Sequence, residues 1–125
     1  MVVTKYTDKD YTTVCGWWLA RGWPVAPKHC LSTTGLIVPE VCAGWIYKSD
    51  SSIAWMEWII SNPNTESTKR AEALDVLIDA LVAQAKDGGF KHIFSSISHP
   101  SLMARYEKHG FQATDKNMTN YMRTL

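Results

Sequence analysis

Ser52-Ile53-Ala54-Trp55-Met56-Glu57-Trp58-Ile59-Ile60, then Ser61-Asn62-Pro63-Asn64, then a long stretch from about Ser67 to Lys86: this passage decides the fold. The first run is short, aromatic-rich and stopped by an Asn-Pro dipeptide, so it reads as a buried strand rather than a helix. From Ser67 the spacing changes to that of a helix. Leu74, Leu77, Ile78, Leu81 and Ala85 fall on one apolar stripe. Lys86 occupies the last turn, and Gly88-Gly89 follow where a left-handed terminator is expected. A strand that turns into a helix aims the helix's free N–H groups and positive dipole end past the strand. That arrangement favours an anion such as phosphate or pyrophosphate. The same residues also read as a plain strand-to-helix connection.

Working outward, Val2 to Thr7 reads as a short first strand. Asp8 or Asp10 then caps a helix through Tyr11, Val14, Cys15, Trp18 and Leu19 that ends near Arg21-Gly22. Trp23 to Thr34 holds Pro24, Pro27 and a Ser-Thr-Thr cluster and reads as a long loop, either a substrate wall or an irregular connector pinned by Trp23. Leu36 to Val38 and Val41 to Tyr47 read as strands joined at Pro39-Glu40. Lys48-Ser49-Asp50-Ser51 turns into the central strand. Beyond the long helix, Lys91 to Ile97 reads as a strand. Pro100 opens a last helix through Leu102, Met103 and Tyr106, with Ser98 or His99 as its cap and Gly110 closing it. Phe111–Asp115 and Met118–Thr124 are expected to form a final hairpin around Lys116-Asn117. The order is β-α-β-β-β-α-β-α-β-β, a mixed α/β (α+β) chain with a mostly antiparallel sheet. Its one parallel pairing is expected across the strand–helix–strand segment from Ser52 to Ile97.

A length of 125 residues fits one domain with one core over residues 1–125, and no linker, repeat or low-complexity tract divides it. A formal charge of +1 supplies no general attraction for nucleic acid or a membrane surface, and there is no basic stripe. No run is long and apolar enough to span a bilayer, and the first residues lack a signal-peptide pattern. Cys15, Cys30 and Cys42 are odd in number and widely spaced, which argues against a disulfide framework or a zinc site and for a reducing cytoplasm. Six tryptophans imply a bulky core or a stacking surface.

Leu102-Met103-Ala104-Arg105-Tyr106-Glu107-Lys108-His109-Gly110-Phe111, placed after a strand–long helix–strand unit, resembles the GCN5-related N-acetyltransferase (GNAT) superfamily, and within it short phage-encoded or bacterial members. That family commonly carries an Asn, an Ala and then a Tyr-Glu-Lys-x-Gly-Phe ending on its last helix. Residues Tyr106 to Phe111 match the ending, while His99 stands at the Asn position and Leu102 at the Ala position. The resemblance covers nearly the whole chain, with the family's usual second helix reduced to the Trp23–Thr34 loop.

The resemblance implies acetyl-CoA as co-substrate, no metal, and coenzyme lying between the diverging ends of the central strand and the Lys91–Ile97 strand. Backbone groups at Ile59, Ile60 and Ser61 would pair with the pantetheine arm, and one N–H there would polarise the acyl carbonyl. The family's pyrophosphate loop reads Arg or Gln, two residues, Gly, one residue, then Gly or Ala. Glu66, Lys69 and Ala71 fall on those positions, and only Ala71 conforms. A side chain at Lys69 obstructs the close backbone approach that glycine permits, and Glu66 puts an acid where the family has a donor. Lys69 and Arg70 place two cations in the first helical turn, against the dipole. They serve either a bound anion or a solvated basic corner.

Transfer of an acyl group to an amine needs a base, a polarised carbonyl and a proton for the departing thiolate. Glu57 is the only charge within the apolar run, and burial would raise its pKa toward that of a base. The alternative is a strand glutamate facing solvent or a basic neighbour. Tyr106 matches the family tyrosine that approaches the coenzyme sulfur and can protonate the leaving thiolate, or else is a core aromatic. His99 contacts the coenzyme or only caps its helix. Trp23, His29, Tyr47 and Trp55 are candidate acceptor-pocket walls or plain packing residues. The expected activity is acetyl transfer to a primary amine of a small molecule or protein within a ternary complex. The rival is a non-catalytic domain of the same fold acting as a protein-binding or regulatory module. Sheet-edge homodimers are common in the family and are an expectation here.

Overall fold

A computed structural model describes all residues, 1–125. The chain forms β1 (Thr4–Lys5), α1 (Tyr11–Ala20), β2 (Gly35–Val38), β3 (Cys42–Tyr47), β4 (Ile53–Ser61), α2 (Ser67–Asp87), β5 (His92–Phe94) and α3 (Pro100–Lys108). One sheet runs β1-β2-β3-β4-β5; its pairings are antiparallel except β4 with β5, which is parallel. The Pro39-Glu40 link is a tight turn in which Glu40 takes a φ of 66° and the Val41 N–H donates to Val38 O at 2.9 Å. Proline before a positive-φ residue suits a type II turn. At the far end of α2, Gly89 has a φ of 88° and supplies the expected left-handed stop.

The sheet is covered on both faces. On one, Leu77, Ile78, Leu81 and Ala85 of α2 and Tyr106 of α3 pack on Val38, Cys42, Ile46, Ala54 and Met56. On the other, α1 places Val14, Trp17 and Trp18 on Ile37, Ala43, Trp45 and Ile60. Trp45 is fully buried, edge-on to Tyr6 at 4.9 Å and stacked with Trp18 at 6.0 Å. Three tryptophans thus build the core beneath α1, while Trp23, Trp55 and Trp58 keep part of their surface in solvent. No helix is long and apolar enough to cross a membrane.

Several sequence expectations change. The first strand, expected over Val2–Thr7, is only Thr4–Lys5, and the Asp10 carboxylate accepts the Thr7 N–H at 2.9 Å instead of capping α1. The final hairpin does not form: after Phe111 there is no helix or strand, and residues 112–125 are exposed. Asn117 does adopt a turn-like φ of 59°, but Gln112-Ala113-Thr114-Asp115 beside it has almost nothing to bury, so no apolar face offsets the cost of ordering two strands. The strand expected over Lys91–Ile97 is shortened to His92–Phe94. His99 does stand at the start of α3, but its side chain caps no N–H.

Gly35 is fixed by close approach, because a β-carbon there would lie 2.3 Å from the Trp45 indole nitrogen. Gly35→Ala must displace the largest side chain of the core. We expect a loss of about 1–3 kcal/mol and a melting temperature lower by several degrees in a thermal denaturation scan.

Candidate functional site

The site begins with a fault in β4. Trp45 pairs with Glu57 but Ala43 pairs with Ile60, so β4 carries one residue more than β3 across this interval. Trp58 is the bulged residue, with a φ of 64°. A bulky residue in that region is an outlier that costs about 1–3 kcal/mol and persists only where the surroundings hold it. Its ring meets Trp18 edge-on at 6.1 Å. Bulges bend a strand and end pairing. The parallel ladder to β5 stops at Trp55 and Phe94, while β4 continues to Ser61. Past Trp55 the edge of β4 therefore has no strand partner on the β5 side, and a slot opens between the two.

Side chains close on this slot from both faces. Before the bulge, Met56 points to the α2 face and Glu57 to the other, as strand alternation requires. The Glu57 carboxylate reaches across and its Oε1 accepts the Ser96 N–H at 2.9 Å. Burial raises the Glu57 pKa above the ordinary carboxylate value, and the Ser96 bond offsets part of that rise. From the α3 side the Tyr106 hydroxyl lies 2.9 Å from Ser95 Oγ, whose own O–H donates to Met56 O at 2.5 Å. The Tyr106 O–H therefore donates to Ser95. Burial pushes the phenol up to about 12, with the Ser95 bond acting against the rise and the Glu57 charge adding to it. Adjacent residues Ser95 and Ser96 thus tie Tyr106 and Glu57 to opposite sides of one gap.

An open cleft of about 390 Å³ lies at this point, lined by Glu57, Trp58, Ser96 and the tail residues Thr119, Asn120 and Tyr121. Trp55 and Phe94 meet edge-on at 5.8 Å and both are part-exposed, extending the aromatic surface next to Glu57. Tyr47, paired across the strands with Trp55, donates its hydroxyl to Cys30 O at 2.6 Å and fastens the long loop to β3. A second concavity near Lys5, Asp8, Lys28 and Thr33 contains none of the expected site residues.

At the other end of the slot, Ile60 is buried against the α1 core and Ser61 is buried at the strand's end. Glu66 is the N-cap of α2, and its carboxylate accepts the Thr68 N–H at 2.9 Å and the Lys69 N–H at 3.1 Å. Those bonds hold its pKa below the usual carboxylate value. The helix start thus already carries an anion of its own. The Lys69 side chain is exposed, and Arg70 turns back to donate to Thr65 O and Pro63 O at 2.9 and 3.3 Å. Ala71 lies one residue further on and offers its carbonyl to Arg105. His99 tilts against Trp23 at 5.3 Å, joining the end of α1 to the start of α3. His29 is exposed on a short 3₁₀ turn, Lys28–Cys30, and joins neither group. No cluster of three or more His, Cys, Asp or Glu side chains is arranged to hold a metal ion.

Trp58, Ser95 and Ser96 are residues that sequence reasoning misses, as is Arg21, whose guanidinium donates to Ser61 O at 3.0 Å and Ser61 Oγ at 2.6 Å at the end of β4. A phase shift in an alternating strand would reveal the bulge, but every neighbour of Glu57 is apolar, and the shift leaves no trace.

Known structures share this fold. Glucosamine-6-phosphate N-acetyltransferase from Arabidopsis thaliana superposes with a TM-score of 0.66 over 98% of both chains at 12% identity. The Mycobacterium tuberculosis protein Rv2747, solved in complex with CoA, gives 0.73 over 95% of this chain and 76% of that one, also at 12% identity. A transcriptional regulator from Bacillus halodurans gives 0.73 over 97% and 99%, at 12% identity. The chain has the GNAT fold. No protein-family model and no curated protein matches its sequence. In the GNAT frame α2 is the helix that follows the splayed central strand, and α3 carries the Tyr-Glu-Lys-His-Gly-Phe segment.

Tyr106 depends on α3, a nine-residue helix held to α2 by ions. Asp75 accepts from Arg105 at 2.7 Å and Lys108 at 3.0 Å, and His109 bridges Asp75 and Asp79 at 2.8 and 2.7 Å. Burial works against the Asp75 charge, but the bonds from His109, Lys108 and Arg105 outweigh it and hold the carboxyl well below its ordinary value. A depressed folded-state pKa stabilises above the unfolded value, about 3.9, and the benefit fades as pH falls toward the folded one. Asp75→Asn is expected to cost about 1–2 kcal/mol at neutral pH. In denaturant titrations, the gap to the unaltered protein should narrow as pH drops below about 4.

Proposed function

We propose that this protein is an acetyl-CoA-dependent N-acetyltransferase acting on a primary amine. One observation carries the reading: a slot between β4 and the segment after β5, with a half-buried carboxylate on one face and a buried phenol on the other. Over Glu57–Ile60 the edge of β4 without a strand partner suits an extended pantetheine arm, which would add to the sheet as another strand does, up to Ser61, whose carbonyl Arg21 already holds. In that frame Ile59 to Ser61 hold the arm and a backbone N–H polarises the thioester carbonyl.

Chemically, the Glu57 side accepts the amine. Its carboxylate, with its pKa raised, takes the proton that the nitrogen loses as the N–C bond forms, directly or through a water. The C–S bond breaks and the electron pair leaves with sulfur. Tyr106 turns its O–H from Ser95 to that sulfur. A thiol ionises near 8.5, far below the phenol's value of about 12. The phenol therefore stabilises the thiolate by hydrogen bonding rather than by giving up its proton. In this reading Trp58, which lines the cleft beside Glu57, would border the amine together with Trp55 and its cross-strand partner Tyr47. The free thiols of Cys15, Cys30 and Cys42 support a reducing cytoplasm as the setting.

The second reading, a partner-binding domain without catalysis, is favoured by the Glu66 carboxylate at the start of α2. Calorimetric titration with acetyl-CoA, followed by a thermal shift, separates the two. The enzyme reading expects saturable binding and about 2.7 kcal/mol of stabilisation at a hundredfold excess over Kd. No binding at millimolar ligand leaves the binding-domain reading.

With an amine substrate in hand, Glu57→Gln should lower kcat/KM by about a hundredfold or more and abolish the rise of rate with pH that a deprotonated base produces. Tyr106→Phe should lower kcat with little change in coenzyme affinity. Unchanged rates in both variants would remove both roles.

A further inference from the structure

Most aromatic side chains of this protein are buried or half-buried, and those that stay exposed gather in one place. Trp55, Trp58, Phe94 and Tyr121 keep 38%, 40%, 45% and 92% of their surface in solvent, and each lies at or beside the cleft that holds Glu57. The strands bring this about. Trp55 and Phe94 face each other as the last pair of the parallel ladder, and Glu57 and Ser96 stand two residues further along the same two segments, roughly 7 Å on. Alternation sends Trp55 and Glu57 to one face. In a regular strand Trp58 would turn to the other face, but the bulge returns its ring to the Glu57 side, where it meets Trp18 of α1. α1 itself packs on Ile37, Ala43, Trp45 and Ile60 and leaves Trp55 and Phe94 uncovered.

The charges of the cleft narrow what these rings can receive. Glu57 is the only charged residue lining it, beside Trp58, Ser96, Thr119, Asn120 and Tyr121. One carboxylate matches one ammonium group. A second cation on the same molecule would find no second acid there, and a phosphate or carboxylate on it would find no lysine or arginine. What remains for the body of the molecule is the aromatic surface. A flat ring set edge-on or offset against such side chains gains about two- to tenfold in affinity beyond the area it covers. An aliphatic group of the same size gains only the area.

We propose that the acceptor is an aromatic monoamine, a single primary amine joined by a short alkyl linker to a flat ring. The amine lies at Glu57, the linker covers the step between the two rungs, and the ring rests on Trp55, Phe94 and Trp58. Tyr121 borders it from the tail. The inference rests on the acetyltransferase reading and names its acceptor. The transfer is the step already described: the N–C bond forms as the C–S bond breaks, the amine's proton passes to Glu57, and the electron pair leaves on the coenzyme's sulfur.

The probes are phenethylamine, its saturated counterpart cyclohexylethylamine, and spermidine, each titrated calorimetrically into the full chain with and without CoA. The unaltered protein should bind phenethylamine about two- to tenfold more tightly than cyclohexylethylamine, and spermidine no more tightly than either. In Trp55→Leu and Phe94→Leu the two single amines should approach equal affinity through weaker binding of phenethylamine. Both positions are part-exposed and stay apolar, and continued binding of cyclohexylethylamine shows that each variant is folded. Equal affinity for the ring and its saturated counterpart in the unaltered protein overturns the proposal. So does tighter binding of spermidine, a preference for phenethylamine that survives both substitutions, or binding of none of the three. Mass spectrometry of the same amines incubated with acetyl-CoA separates this inference from the reading beneath it. Selective, Trp55-dependent binding of phenethylamine without an acetylated product leaves the aromatic-amine site standing and removes the acetyltransferase reading. Acetylation of spermidine or cyclohexylethylamine with no preference for phenethylamine keeps that reading and removes this inference.

Discussion

The extra residue at Trp58 is the constraint on which the rest of the molecule depends. A strand can pair on both edges only while its backbone keeps register with both neighbours. By accommodating one residue too many against β3, β4 stays joined on that side and parts from β5 on the other after Trp55. The strain of a tryptophan at positive φ is stored at the point where the slot opens, and the Trp18 ring helps hold it. Alternation then sorts the neighbours: Met56 goes to the α2 core, while Glu57 is sent across the gap to Ser96.

The two layers hold the walls of this slot by different means. Beneath α1 the packing is aromatic, with Trp45 against Tyr6, Trp18 and the bare backbone of Gly35. On the other face the long helix is seated by aliphatic burial, and α3 is attached to it through Asp75, Asp79 and His109. A helix of nine residues has little stability of its own. The position of Tyr106 therefore depends on that ion network and on its ring contact with Phe111 at 5.0 Å.

Much of the fold is legible in the sequence because the signals are local. The aromatic run stopped by Asn-Pro is β4, the stripe from Leu74 to Ala85 is the buried face of α2, and Pro39-Glu40 makes its turn. The C-terminal hairpin is misread because a turn residue, Asn117, has apolar side chains after it, Met118, Tyr121 and Met122, but almost none before it from Gln112 to Asp115 to pair with them. Within the site, Glu57 and Tyr106 stand out by type and motif. What connects them does not, because Ser95 and Ser96 act through one hydroxyl and one backbone N–H that any sequence can supply. Glu66 is visible as a departure from the family's loop, but only its bonds to Thr68 and Lys69 show that it serves as the cap. Arg21 is hidden for another reason: its partner is forty residues away at Ser61.

The central claim is that the freed edge of β4 is where a thioester's pantetheine arm lies. Amide hydrogen exchange measured with and without acetyl-CoA tests it at the residues concerned. Bound ligand should slow exchange at the amides of Ile59 and Ser61, which face away from β3, with Ser96 also affected and little change at Ile60, which pairs with β3, or in β1 and β2. Protection elsewhere, with exchange at Ile59 and Ser61 unaltered under saturating ligand, would contradict it.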